Sequence, residues 1–234
     1  MLEAIGVSRR YGWRWALKDL NLSVSPGETL ALLGKNGSGK TTLLKTLAGL
    51  LKPTQGAVRL SGQPISREAK GRIGLLSHEP MLYEGLTVRE NLEYFARLFD
   101  VEREEMLTRV DLLAGTLEIE ERLDEPVRVL SQGFRQRAAF MRTLLHTPEV
   151  VLLDEPFSGL DTNAVQRLES VIDLMRDLRE YIVVFTTHDL SKAFEMAERI
   201  AVLAGGRLVY EEDVENSSEE DVSAAFDEYA GGSA

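Results

Sequence analysis

Thr29-Leu30-Ala31-Leu32-Leu33-Gly34-Lys35-Asn36-Gly37-Ser38-Gly39-Lys40-Thr41-Thr42 is the stretch that decides the fold. An apolar strand, residues 29–33, runs straight into a Gly-x4-Gly-Lys-Thr loop, and helix formers follow over residues 40–50. A loop of this kind between strand and helix is built to surround phosphate. Its glycines let backbone N–H groups turn inward, and the helix N-terminus adds partial positive charge. Gly34, Lys35, Asn36, Gly37, Ser38, Gly39, Lys40, Thr41 and Thr42 are therefore expected to hold a nucleoside triphosphate. Lys40 is expected on the β- and γ-phosphates and the Thr41 hydroxyl on Mg²⁺.

Working outward, strands and helices alternate. Residues 4–11 and 20–24 read as short strands, and Pro26-Gly27 turns the chain before residue 29. After the loop come strands at 57–60 and 72–76, with turns at 53–56 and 61–64. From Leu86 to about His146 the pattern is helical, with Leu92, Phe95, Leu98, Phe99, Leu107, Val110 and Leu113 at helical spacing. Thr87-Val88-Arg89-Glu90 has the form of a capping box and marks a helix start. Beyond Pro148 the alternation returns: strands at 150–153, 182–186, 199–203 and 207–209, and helices at 163–178 and 191–197. This predicts an α/β fold, a mainly parallel sheet over residues 1–77 and 147–213 with a helical insertion at about 78–146. Residues 214–234 form an acidic tail, expected to fray or to make a short helix around 221–229.

The 234 residues include no cysteine, which excludes disulfides and thiolate chemistry. The net charge of −11 is concentrated: residues 211–234 hold nine acids and no Lys or Arg, leaving a nearly neutral body. Without a basic face, nucleic acid is not an expected partner. No apolar run reaches the roughly 18–20 residues of a membrane span. The opening Met1-Leu2-Glu3-Ala4 lacks the basic and apolar regions of a secretion signal, so a cytoplasmic location is expected.

A second motif completes the first. Val150-Val151-Leu152-Leu153-Asp154-Glu155 is an apolar strand ending in two carboxylates. Asp154 at the strand end suits the magnesium shell, and Glu155 is placed to orient and deprotonate an attacking water. The base-reading Asn-Lys-x-Asp of P-loop GTPases is absent.

Leu130-Ser131-Gln132-Gly133-Phe134-Arg135-Gln136-Arg137 then resembles the signature of ABC transporter ATP-binding subunits, usually LSGGQ-x-Q-R. Ser158-Gly159-Leu160-Asp161 resembles that family's D-loop, and His188 in Thr186-Thr187-His188-Asp189 its switch histidine. Tyr11 stands where the family has an aromatic stacked on adenine. The resemblance implies a P-loop NTPase (RecA-like) core with an N-terminal antiparallel β subdomain and an inserted α-helical subdomain. It also implies a homodimer, or a pairing with a related ATPase subunit, that sandwiches ATP between one phosphate loop and the other copy's signature. Ser131 and Gly133 would reach the γ-phosphate across that interface, and Asp161 would link the two sites. Glu155 would be the base, His188 the γ-phosphate sensor, and an integral membrane subunit would turn the motion into transport, with this chain peripheral at the cytoplasmic face.

Gln132 and Phe134 depart from the usual signature, while Ser131 and Gly133 keep it. With Ser77-His78-Glu79-Pro80, the chain is similar to the ATP-binding subunits of the haem exporter of cytochrome c maturation and of ABC-2-type exporters. A soluble ABC ATPase is the alternative, but such repair proteins carry long coiled-coil insertions and the translation type carries two cassettes. Met81, Leu82 and Tyr83 suit either packing against the helical block or contact with a membrane partner. His146, at an expected helix end before Pro148, reads as a structural or surface residue rather than a ligand. His78 falls on the family's Q-loop glutamine, expected near the magnesium shell, with Glu79 as rival if the loop slips by one. An amide is neutral at every pH, whereas imidazole is the side-chain class that changes charge near neutrality. His78→Gln is accordingly expected to flatten the pH profile of ATP hydrolysis. A profile identical to wild type would remove His78 from that role.

Overall fold

The computed structural model describes residues 1–177 and 181–230; the expected helix end at Leu178 and the last tail residues, 231–234, lie outside them. The chain opens with β1 (Leu2–Tyr11) and β2 (Arg14–Val24). β3 (Thr29–Leu33) leads through the glycine loop to α1 (Lys40–Leu47), followed by β4 (Gln55–Leu60), β5 (Gln63–Pro64), α2 (Arg67–Lys70) and β6 (Ile73–Leu76). The helical stretch comprises α3 (Val88–Leu98), α4 (Arg103–Leu117) and α5 (Gln132–Leu144). Alternation resumes with β7 (Val150–Leu153), α6 (Thr162–Asp177), β8 (Ile182–Thr187), α7 (Leu190–Met196), β9 (Arg199–Ala204) and β10 (Arg207–Asp213), and α8 (Glu219–Ala230) is the last element among the described residues.

Two sheets result. β2-β1-β4-β5 is antiparallel, and β10-β9-β3-β8-β7-β6 is parallel except for its edge strand β10. Every residue of β3, β7 and β8 is buried, as expected of central strands covered on both faces. Side chains alternate across the sheet. Leu30 and Leu32 join a core with α1 and the antiparallel sheet, while Ala31 and Leu33 join the core under α3–α7 with Phe140 and Phe185. β3 therefore belongs to both cores at once, and the loop that follows it is anchored from both sides.

Several sequence expectations needed correction at their edges. The first two strands are longer than anticipated and form a tight hairpin turned by Gly12 and Trp13 alone, with Tyr11 opposite Arg14. Register shifts along β1 and the left-handed backbone of Asp19 break the alternation that would have revealed them. β10 runs on to Asp213, because an edge strand tolerates the acids Glu211, Glu212 and Asp213 on its exposed side. The acidic tail does not simply fray: α8 seats Val222, with no exposure, in the core formed with β9 and α7. The expected capping box of α3 is formed, Glu90 N donating to Thr87 Oγ1 at 3.1 Å and Thr87 N to Glu90 Oε2 at 2.8 Å.

α5 is tied to the sheet by polar groups it carries inside. The Arg142 guanidinium donates to the Leu75 carbonyl at 2.7 Å and lies over the Phe95 ring, and its burial pulls its pKa down to about 10. His146 stacks on Phe99 with ring centroids 3.9 Å apart and planes within 6°. Burial, and the nearby Arg142 and Arg109 cations, hold its imidazole neutral down to about pH 4. The unfolded chain takes up that proton near pH 6.5, so this stability is complete above 6.5 and is lost as the pH falls toward 4. Between pH 7 and 5 the loss amounts to about 2 kcal/mol. His146→Phe keeps the stacked ring and removes the proton, so its denaturation midpoint should fall less than wild type between those pH values. Equal slopes in the two proteins would show that His146 is not held neutral.

Candidate functional site

The carboxyl ends of β3, β7 and β8 meet at one edge of the parallel sheet, and a cavity of about 850 Å³ opens there. Its lining includes Tyr11, Lys35, Asn36, Gly37, Gly39, Lys40, Thr41, Thr42, His78, Asp154, Glu155 and His188, which the sequence had singled out. Gly34 and Ser38 lie in the same loop behind that wall. The loop is possible only with glycine at Gly39, whose φ is 116° and whose Cβ would stand 2.6 Å from the Ala16 carbonyl. As N-cap of α1 it offers no side chain, so the first N–H groups of the helix stay open to the cavity.

Polar groups converge on this space and leave some buried atoms without a hydrogen bond. Lys40, 7% exposed, donates to the Gly34 carbonyl at 2.5 Å and lies 3.4 Å from Glu155 Oε1. The other Glu155 oxygen is 3.0 Å from His188 Nδ1. Ser38 Oγ and Glu155 Oε1 are buried and make no hydrogen bond. Buried polar atoms of that kind are uncommon and point to a ligand. Glu155 also sits in left-handed backbone at φ 49°, a strain on the order of 1 kcal/mol for a residue with a Cβ.

The strain is held by Thr186, a residue whose part the sequence reading missed. Its hydroxyl donates to Asp154 Oδ1 at 2.9 Å and accepts from the Glu155 N–H at 2.8 Å, so one side chain of β8 aims both acids of β7. Asp154 is 3% exposed and faces the cavity with Thr41. Mg²⁺ asks for one or two carboxylates, with hydroxyl, phosphate and water filling the remaining positions. Thr41 and Asp154, with His78 across from them, suit that donor set, although no cluster of three His or acidic ligands exists among the described residues. His78 lines the cavity and Glu79 does not; Glu79 instead accepts through its carbonyl from Ser77 Oγ at 2.5 Å. Arg14, Ala16 and Ser158 also line the cavity and had not been anticipated. Arg14 and Ala16 arrive through the overlooked part of β2.

Three expected residues are elsewhere. Ser131 caps α5, accepting from Phe134 N at 3.4 Å, and Asp161 accepts from Ala164 N at 2.8 Å in the first turn of α6. Neither they nor Gly133 line this cavity. The two unusual signature residues have structural employment. Phe134 lies beneath the Arg137 and Arg122 guanidiniums, at 4.9 and 5.4 Å. Gln132 lies on the D-loop glycine, where a Cβ on Gly159 would come 2.6 Å from Gln132 Nε2. His146 is outside the cavity.

A model of the family described as ABC transporter matches residues 17–158, more than half of the chain. The chain belongs to the ABC transporter family. It is 33% identical over 201 residues to the ABC transporter ATP-binding protein NatA of Bacillus subtilis, with 83% of this chain and 80% of that one covered. It is 36% identical over 204 residues to the sulfate/thiosulfate import ATP-binding protein CysA of Synechocystis, covering 86% of this chain and 58% of that one. Its fold matches the dimeric post-hydrolysis ATP-binding cassette MJ0796 bound to ADP and Pi with TM-score 0.84 and 28% identity, over 92% of this chain and 99% of the other. The P-loop NTPase α/β fold and the ATP hydrolase activity of an ABC ATPase domain are thereby shown. No helix among the described residues is long and apolar enough to cross a membrane.

Thr186→Val removes the hydroxyl while keeping the strand packed. A hydrogen bond to a charged group contributes about 1.5–3 kcal/mol, so kcat for ATP hydrolysis should fall at least about tenfold, with ATP affinity little changed. An unaltered kcat would mean that Thr186 does not aim the acids.

Proposed function

We propose that this chain is the MgATP-hydrolysing subunit of a transporter whose membrane-spanning partner is a separate polypeptide, and that residues 1–213 form the ATPase unit. The observation that carries the site assignment is the Glu155 carboxylate, held between Lys40 at 3.4 Å and His188 at 3.0 Å inside the phosphate-loop cavity. Tyr11 takes the adenine. The loop N–H groups and Lys40 take the β- and γ-phosphates, and Thr42 lies beside them. Thr41 and Asp154, with His78 in the same cavity lining, would hold Mg²⁺, which would supply positive charge to the phosphate oxygens. Glu155 accepts a proton from water as the water oxygen attacks the γ-phosphorus. The bond to the β–γ bridging oxygen breaks, leaving ADP and phosphate, and His188 donates to the γ-phosphate oxygens as charge shifts there.

The cavity is half of a site on this reading. Ser131 and Gly133 lie outside it, on a loop free to complete the cavity of a second copy, and Asp161 next to that loop links the two. The dimeric cassette among the solved relatives supports the same arrangement. A membrane partner has an apolar landing place beside the site. Tyr83 packs edge-on against Tyr94 at 5.0 Å, and Met81, Tyr83, Tyr94 and Leu98 remain 39–58% exposed, while Leu82 turns into the core. The buried Asn91 amide fixes this loop through the Tyr83 and Thr87 carbonyls at 3.0 and 2.8 Å. The resemblance carried by the sequence around His78 and Ser131 supports export with a haem-exporter-like or ABC-2-type partner, and the ABC transporter resemblance as a whole supports a peripheral position at the cytoplasmic face. CysA is named an importer, so direction rests with the partner.

Glu155→Gln keeps the shape and loses the base. It should bind MgATP, turn over at least about a hundredfold more slowly, and run as a dimer on gel filtration with light scattering. A monomer under those conditions would overturn the composite site. Recovery of the wild-type protein with a membrane subunit after crosslinking tests transport, and recovery from the soluble fraction alone would favour the soluble ABC ATPase.

A further inference from the structure

We infer that Arg14 binds the α-phosphate of the nucleotide, an assignment that rests on the ATP reading of the cavity. The two-residue turn Gly12-Trp13 makes Arg14 the direct cross-strand neighbour of Tyr11, and both line the cavity. Tyr11 has one face already occupied: the Arg9 guanidinium lies 4.9 Å over its ring and is itself fixed to the Lys52 carbonyl at 2.9 Å. Arg9 is not part of the cavity lining, so the base is left the opposite face of the ring. At the other end, the open N–H groups of α1 and Lys40 hold the β- and γ-phosphates.

A nucleoside triphosphate is linear in its order of groups. Between a base on Tyr11 and a β-phosphate at the loop there is room only for the ribose and the α-phosphate. Arg14 occupies that interval. Its Nη2 comes within 4.0 Å of where a Cβ on Gly37 would stand, so the guanidinium reaches from the hairpin to the rim of the phosphate loop. Among the described residues Arg14 makes no hydrogen bond or ion pair, in contrast to Arg9, Arg72, Arg89 and Arg199. A planar cation with five donors and no protein partner, facing a phosphate site, is matched to an anionic oxygen pair rather than to a sugar hydroxyl. The hairpin thus supplies two recognition elements, an aromatic face for the base and a cation for the first phosphate.

The test compares two ligands that share the phosphate loop but differ in reach. MgADP extends to the hairpin, whereas Mg-pyrophosphate fills the loop subsites without it. Trp13, 95% exposed, and Trp15 flank Arg14 and are the only tryptophans of the chain, so intrinsic fluorescence reports binding at this hairpin, with calorimetry for pyrophosphate. Arg14→Ala should weaken MgADP about tenfold and leave pyrophosphate unchanged, and Arg14→Lys should recover part of the loss. Unchanged MgADP affinity, or equal weakening of both ligands, overturns the assignment. Lys40→Ala serves as the control and should lose both ligands. If Lys40→Ala instead binds both as wild type does, the phosphate-loop reading fails, and the Arg14 assignment fails with it.

Discussion

The cavity depends on the parallel register of β3, β7 and β8, which brings the phosphate loop, the two acids and the switch histidine to one edge of the sheet. These are short strands, buried on both faces, so nothing at their surface can correct a slip. A shift of one residue would exchange the two faces of a strand and turn Asp154 away from the loop. Thr186 makes the register chemically explicit. Its hydroxyl bonds the carboxylate of Asp154 and the N–H of Glu155, and either bond is lost if β7 and β8 slide. The strained backbone of Glu155 persists because this hydroxyl and the buried strands determine it from outside.

What could be read from the sequence is what is contiguous in it. Gly34 to Thr42, Asp154-Glu155 and the Thr87–Glu90 capping box each form within a few residues, so their chemistry is written in their spacing. Arg14 and Thr186 act only through pairing. Arg14 enters the cavity because a two-residue turn sets it opposite Tyr11, and the bulges of β1 hide that turn from any alternation count. Thr186 matters because β8 lies beside β7, which no local pattern announces. Its signal in the sequence is a pair of hydroxyls, Thr186 and Thr187, that end an otherwise apolar strand just before His188. β10 runs past its expected end for a different reason: a run of acids looks like a solvated tail, yet an edge strand can carry Glu211, Glu212 and Asp213 exposed.

The same distinction explains the signature. Ser131-Gln132-Gly133 was legible as a motif, yet a single chain gives it no phosphate to touch. The substitutions within it are explained inside one chain. Phe134 serves the packing of Arg137, whose guanidinium caps the Leu117 and Glu118 carbonyls at the end of α4. Gln132 lies on Gly159, so the signature and the D-loop touch within one subunit before any partner arrives. The two departures leave Ser131 exposed and Gly133 in place, and Gln132 adds a contact between the signature and the D-loop within one subunit.

The charges in the cavity also order the proposed reaction. Without phosphate, Lys40 is shared between the Gly34 carbonyl and Glu155, and Glu155 is divided between Lys40 and His188. A γ-phosphate carries more negative charge than Glu155 and competes with it for Lys40. As Lys40 turns to the phosphate, Glu155 is released from that contact and can turn toward water. His188, 69% exposed, can follow toward the γ-phosphate because little packing restrains it. On the proposed reading, nucleotide binding would free Glu155 from Lys40, whereas the empty site keeps the two paired.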